Sequence, residues 1–340
     1  MHLILVAPGL LAQPQPAFDA APSLAMLAHL APAHAYGNGI AAALLDALEA
    51  PAQTPIAPLA ALGGDFDAGN DYVIAADPVL LAADRDDLVL VQRVDDLSAA
   101  EAATLVALLN RHFDADGLQF AAVHPDAWFA RSTRVPAMTT TPFDAARLRG
   151  IFPFLPQGAD AGLWQRWQNE IGMLLHEHPV NEARQAAGSA LVTGIWFSGG
   201  GRLADTNAMP RAIVHAAPGR IADLARGIAR RGGGISRPLA SDDTLARVLD
   251  AADPRNAGSA QVHMVVTDTI EREDGPAALH ARWIAPALEC LGRKRLARLT
   301  LIADGHGVAA RWTATTPTFW QRVSVRAQRK PFAVPALPES

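Results

Sequence analysis

Three side chains near the end of this sequence have the types a metal-dependent phosphoryl-transfer site uses. Asp268, Asp304 and His306 stand at or just past the ends of two apolar runs, with Glu271 or Asp274 as possible additions. Carboxylates and a histidine of this kind suit Mn²⁺ or Mg²⁺, which accept oxygen ligands and water. A two-metal site would need more ligands around ions about 4 Å apart, and a nucleophile. The bland alternative for Asp304 and His306 is a strand-end turn with a half-exposed histidine.

A second block runs from His176 to Leu203, HEHPVNEARQAAGSALVTGIWFSGGGRL. His176 and His178 are two apart, so on one helix they face different ways and do not share an ion; a structural or substrate-positioning role fits them better. Asn181 and Arg184 suit ligand contact, because arginine binds phosphate or carboxylate in a bidentate manner. The competing reading of Arg184 is a solvated helix residue. Gly199, Gly200 and Gly201, followed by Arg202, form a turn whose backbone N–H groups suit a small anion. It is neither a Walker loop nor a dinucleotide fingerprint. The expected ligand set is therefore His178, Asn181, Arg184, Gly199, Gly200, Gly201 and Arg202. Ser198 lacks the context of a nucleophile elbow. Gly232–Gly234 reads as a helix C-cap.

The elements that must position these residues are legible as apolar runs. LILVAP, from Leu3 to Pro8, reads as a buried parallel strand opening into a loop at Gly9. ALVTGIWF, AQVHMVVTD and RLTLIADGHG read as three more. Their C-terminal ends would line one rim, where ligands bind in open α/β sheets. APSLAMLAHLA is a helix with Ser23 as cap, and IAAALLDALEA follows as another. SAAEAATLVALLNRHF is a helix with a capping box from Ser98 to Glu101. AGLWQRWQNEIGMLLHEHP is a helix stopped by Pro179, and RIADLARGIARRGG one closed by glycines. The expected fold class is α/β: a mostly parallel sheet with helices on both faces. Residues 1–64 and 141–340 would make this core, and 65–140 a small α+β insertion.

Composition bounds the rest. The 340 residues carry a net charge of −5, giving no bulk attraction to nucleic acid or anionic lipid. Only Lys294 and Lys330 are lysines among 29 basic residues. Arg326, Arg329 and Lys330 read as a solvated tail, with a contact to a protein partner as the lesser reading. Cys290 is the only cysteine, so neither an intrachain disulfide nor a cysteine-based zinc site is available. No run approaches the roughly 20 apolar residues of a membrane span. A cytoplasmic location is expected.

The order of segments resembles the archaeal-type cofactor-independent phosphoglycerate mutases of the alkaline-phosphatase superfamily. It resembles more closely their bacterial relatives, the RpfE-type regulatory proteins. HEHPVNEARQAAG followed by GIWFSGGG is similar to the mutases' HPVN-x-x-R-x-x-G and the glycine-ended strand after it. APSLAMLAHLA resembles their TPNLDRLA helix, and VHMVVTD their late strand. The resemblance spans most of the chain and implies an alkaline-phosphatase-like core. The departures bear on activity. The mutases end their first strand in an Asp-Gly pair; here Ala7-Pro8-Gly9 has no carboxylate. They place a nucleophilic serine after the first helix; AHAYGNGIAAALL has no Ser, Thr or Cys. Their late strand continues to a histidine that is missing after Asp268. Their last strand ends Asp-His, whereas Asp304 and His306 are separated by Gly305. The resemblance with these losses implies a catalytically degenerate protein that binds a small phosphorylated or carboxylated metabolite, in a binding or regulatory role. The alternative is a mutase or phosphatase using Asp268, Asp304 and His306 for one ion and water as nucleophile. A third is a structural or assembly protein.

Overall fold

The computed structural model describes residues 1–66, 68–84, 87–206, 208–240, 242–250, 262–267, 275–316 and 332. In chain order the strands are β1 (His2–Ala7), β2 (Ala33–Tyr36), β3 (Tyr72–Asp84), β4 (Asp87–Arg93), β5 (Leu118–His124), β6 (Ala127–Ser132), β7 (Gly194–Arg202), β8 (Ala212–Ala216), β9 (Ile235–Pro238), β10 (Val262–Val266), β11 (Arg298–Gly305) and β12 (Val308–Thr315). The helices are α1 (Pro22–Leu30), α2 (Ile40–Ala47), α3 (Ile56–Gly63), α4 (Ala99–Phe113), α5 (Phe143–Ala146), α6 (Ala161–His176), α7 (Pro179–Ala187), α8 (Arg220–Arg231), α9 (Leu245–Asp250), α10 (Gly275–Leu279) and α11 (Ala285–Gly292). A π-helical turn, His280–Ile284, joins the last two helices.

The chain divides into two compact units, residues 1–52 with 208–340, and 53–207. The first holds a seven-stranded sheet in the order β2-β12-β11-β1-β10-β8-β9. Its strands are parallel except for β12, which runs against both neighbours. The α/β class is as expected, with helices on both faces. Leu3, Leu5 and Ala7 of β1 turn to one face, where they pack with α1, α9, the π turn and α11. Ile4 and Val6 alternate to the other and are also fully buried. Burying both faces is why β1 reads as an unbroken apolar run; each large side chain removed from water contributes about 1.5–3 kcal/mol.

The second unit is built on an antiparallel sheet in which β3 pairs with β4, β6 and β7. The expected helix over SAAEAATLVALLNRHF is α4, and its capping box is present: Ser98 Oγ accepts from Glu101 N, while Glu101 accepts from Ser98 N. Trp164, Trp167, Phe113 and Phe197 stack edge to face in its core.

Three expectations are corrected. The unit expected at 65–140 extends over 53–207, because β7 hydrogen-bonds along β3 from Tyr72 to Val79. GIWF is therefore a strand of the antiparallel sheet, and the short β8 takes its place as the fourth parallel strand in the first unit's interior. The helix expected to reach Pro179 ends at His176, and Pro179 starts α7, a position where its missing N–H costs nothing. Ser23 does not cap α1. It lies one residue inside the helix, and its hydroxyl meets His280 Nδ1 at 2.6 Å.

Candidate functional site

The C-terminal ends of the parallel strands converge as expected for β1, β10 and β11. Ala7 lies opposite Ala303, so Asp304 comes directly beside the Pro8-Gly9 exit of β1. Gly9 takes a left-handed conformation, φ 76°, and donates its N–H to Asp304 Oδ1 at 2.8 Å. Thr267 extends the ladder, its N–H and hydroxyl both donating to Val6 O. The carboxylate thus ties together the exits of two adjacent strands.

Beyond Asp304 the chain departs from the expected rim. β11 turns straight back into β12, and Gly305 pairs with Val308. His306 and Gly307 form the two-residue turn with φ of 50° and 80°, the geometry of a tight hairpin. His306 is exposed at this tip. A Cβ on Gly305 would stand 2.1 Å from Ala12 N, so the turn Leu10–Ala12 lies directly over that backbone. Asp268, Glu271 and Asp274 lie outside the described residues, as do Arg326, Arg329 and Lys330. Among the described residues, no three His, Cys, Asp or Glu side chains come together as a metal would require. The expected metal set Asp268, Asp304 and His306 is thus represented there by Asp304 and His306 alone.

A neighbouring strand end completes the rim. β8 ends at Ala216, and the chain passes through Ala217, Pro218 and Gly219 into α8. Gly219 caps α8 with φ 141° and no side-chain hydrogen bond. The first turn of this twelve-residue helix presents backbone N–H groups and the positive end of the helix dipole, which suit an anion. Gly232–Gly234 closes the same helix as expected: Gly232 N bonds Ile228 O, Gly234 N bonds Ala229 O, and Gly233 is left-handed.

The second expected block sits in the second unit, and its polar groups serve the fold. His178 caps α7, its Nδ1 accepting from Val180 N at 3.2 Å, whereas His176 is exposed at the end of α6. Asn181 is 3 % exposed; it donates to Leu175 O and Val192 O at 2.7 and 2.8 Å, and accepts from Val192 N at 3.0 Å. Arg184 is 4 % exposed. It donates to Ala190 O at 2.7 Å, to Glu101 at 3.0 Å and to Asp96. Ser98 and Arg184 together hold the Glu101 carboxyl below its usual range. The solvated-helix reading does not describe Arg184, whose guanidinium is buried against these three partners.

The three glycines of β7 are explained by close packing. A Cβ on Gly200 would fall 2.0 Å from Tyr72 Oη, and one on Gly201 would fall 2.4 Å from Pro55 Cβ. Gly199 has φ 65° beside Ile56. The Tyr72 phenol and the start of α3 lie directly against these glycines. Arg202 forms an exposed two-point pair with Asp205, at 3.0 and 2.9 Å.

Among the described residues, the rim of the first unit is thus where an expected site residue, Asp304, stands at the ends of parallel strands. The chain shares its fold with a protein of known structure. That protein is PH0037 from Pyrococcus horikoshii, matched with a TM-score of 0.51 at 14 % identity over 92 % of this chain and 87 % of that one. A cofactor-independent phosphoglycerate mutase from Thermoplasma acidophilum also aligns, with a TM-score of 0.41 at 14 % identity over 93 % of this chain and 90 % of that one. No family model and no curated protein sequence matches. Among the described residues no helix is long and apolar enough to cross a membrane.

Proposed function

We propose that this chain is a phosphoglycerate-mutase-like protein that binds a small phosphorylated or carboxylated metabolite and does not transfer phosphoryl groups. Its role on this reading is regulatory, of the RpfE type, with binding of the metabolite passed on to a protein partner. The bound anion lies at the strand ends of the first unit, beside the uncapped start of α8 and the Pro8-Gly9 exit.

The observation that carries the reading is the Asp304–Gly9 bond. A carboxylate at the end of β11 is where the resemblance puts a metal ligand, and here it accepts the N–H of the loop that the resemblance would have carry the other carboxylate. With no carboxylate in Ala7-Pro8-Gly9, Asp304 works as a clamp between two strands. The missing serine after α1 removes the group that a covalent phosphoryl intermediate needs.

The test has two arms. Turnover of 3-phosphoglycerate and of a chromogenic phosphate ester is measured with added Mn²⁺ for wild type and Asp304→Ala. No turnover is expected in either. Turnover lost in Asp304→Ala would overturn the proposal in favour of a metal-dependent mutase or phosphatase. In the second arm, thermal shifts are recorded against phosphorylated and carboxylated three-carbon acids. A shift weakened by Gly219→Pro, which disturbs the start of α8, supports the rim as the binding place.

A further inference from the structure

Two histidines that the rim does not employ lie inside the first unit's sheet. His263, on β10, is 0 % exposed, and its Nδ1 and Nε2 have no hydrogen-bond partner among the described residues. His215, on β8, is 4 % exposed, and its Nε2 has none. Leaving one such group unpaired in a core costs about 1–3 kcal/mol, so three ring nitrogens on one face call for a partner.

The register places them together. His263 lies opposite Ile213, and Val265 opposite His215; in turn His215 lies opposite Arg237 of β9. Residues opposite each other share a face, as do residues two apart on a strand. His263, His215 and Arg237 therefore step across three adjacent strands on the face of Leu3, Leu5 and Val265. β9 ends the sheet, and Arg237 is half-buried, so the row runs from the interior to an edge. Leu245, Val248 and Leu249 of α9 belong to the cluster that covers this face.

Charged groups among the described residues act on the row. Arg237 acts on both imidazoles, the N-terminal ammonium on His263, and Asp243 on His215. Asp243 already accepts from Ala240 N at 2.8 Å and from Arg247 at 3.2 Å. Two imidazoles each offering an N–H, next to a guanidinium, make a donor set with positive surroundings. A metal cation would meet repulsion from Arg237 there.

We propose that His263, His215 and Arg237 form a buried binding site for a small oxyanion of the phosphate or carboxylate class. This site is separate from the rim of Asp304 and Gly219. Burial, with Arg237 beside it, favours the neutral form of both imidazoles when no anion is bound. Binding an anion reverses that balance and draws a proton in with it, so affinity rises as pH falls.

The test is thermal unfolding of the full chain with inorganic phosphate, at pH 6.0 and 7.5, against sodium chloride of equal ionic strength. At phosphate ten times its Kd the midpoint is expected to rise by roughly 3–6 °C, with tighter binding at pH 6.0. His263→Phe removes the rise, and Arg237→Met weakens it while Arg237→Lys restores part. Arg237 is at the edge, so its variants keep the test valid if His263→Phe does not fold. No rise in the wild type overturns the proposal, as does an equal rise in His263→Phe and Arg237→Met. A rise abolished by Gly219→Pro but not by Arg237→Met assigns the phosphate to the rim and also overturns it. So does a Zn²⁺-induced rise that His263→Phe removes.

Discussion

Asn181 and Val192 are joined by a reciprocal pair of hydrogen bonds, the side-chain amide donating to Val192 O at 2.8 Å and accepting from Val192 N at 3.0 Å. The side chain takes the place of a neighbouring strand for the residues that lead into β7. Its second donation, to Leu175 O, fixes the end of α6 to the same point. Asn181→Ala takes the amide partner from both the N–H and the C=O of Val192 and leaves Leu175 O with its backbone donor His178 N, and is expected to cost about 2–4 kcal/mol. Urea unfolding followed by tryptophan fluorescence checks this. A variant as stable as wild type would return Asn181 to the role of a free ligand contact.

Arg184 joins α7 to the start of α4 through Glu101 and Asp96. Lysine in its place keeps the charge and loses the fork that reaches three partners. Arg184→Lys is expected to destabilise by about 1–2 kcal/mol and Arg184→Met by about 2–3 kcal/mol, less than for a fully buried pair because both carboxylates are partly exposed. The Glu101 carboxyl is held below its usual range, so its contribution is present above the unfolded value and lost as pH falls through the folded one. In Arg184→Met that acid dependence shrinks.

Acid stability also depends on two histidines. Burial pushes His2 and His263 down to about 4 from 6.5. Both bind protons more readily in the unfolded chain. Stability is therefore full above pH 6.5 and falls between 6.5 and 4, by roughly 2–3 kcal/mol for each histidine. Unfolding midpoints in phosphate-free buffers at pH 7.5, 6.0 and 5.0 should show that decline. His2→Gln, which keeps a partner for Thr300 Oγ1, should remove part of it.

Gly200 and Gly305 allow two close approaches. Gly305→Ala drives a methyl into the backbone of Leu11 and Ala12, and Gly200→Ala drives one into the Tyr72 phenol. Each is expected to cost about 1–3 kcal/mol, the usual range for overpacking, with Gly305→Ala the worse because backbone yields less than a side chain. Differential scanning calorimetry of the two variants gives the comparison. A cost for Gly200→Ala without any change in anion response separates packing from ligand contact.

Local signals carry much of this architecture. Ser98 and Glu101 mark the start of α4, and the glycines after Arg231 mark the end of α8, because both depend on contacts within a few residues. β1, β10 and β11 are legible as apolar runs. The sheet to which GIWF belongs is not, since a strand buried on both faces looks the same whatever pairs with it. β8 is the short segment AIVHA, and its histidine hides a core strand. Asn181 and Arg184 are ambiguous in the sequence for one reason. The groups that bind ligands also bind backbone and carboxylates, and the partners, six to eighty-eight residues away, are not legible locally. His215 and His263 carry a usable signal: each interrupts an apolar strand.

The division of the chain has a consequence for how it is made. All the strands of the antiparallel sheet lie within 53–207, so that unit has its partners as soon as it leaves the ribosome. β1 does not. His2 pairs with Val262 and Arg298, so at about 5–20 residues per second the apolar strand from Leu3 to Ala7 waits roughly 13–52 s for its first neighbour of that pair. Over that interval β1 is a hydrophobic strand without its neighbours in the nascent chain, a segment on which a chaperone would act.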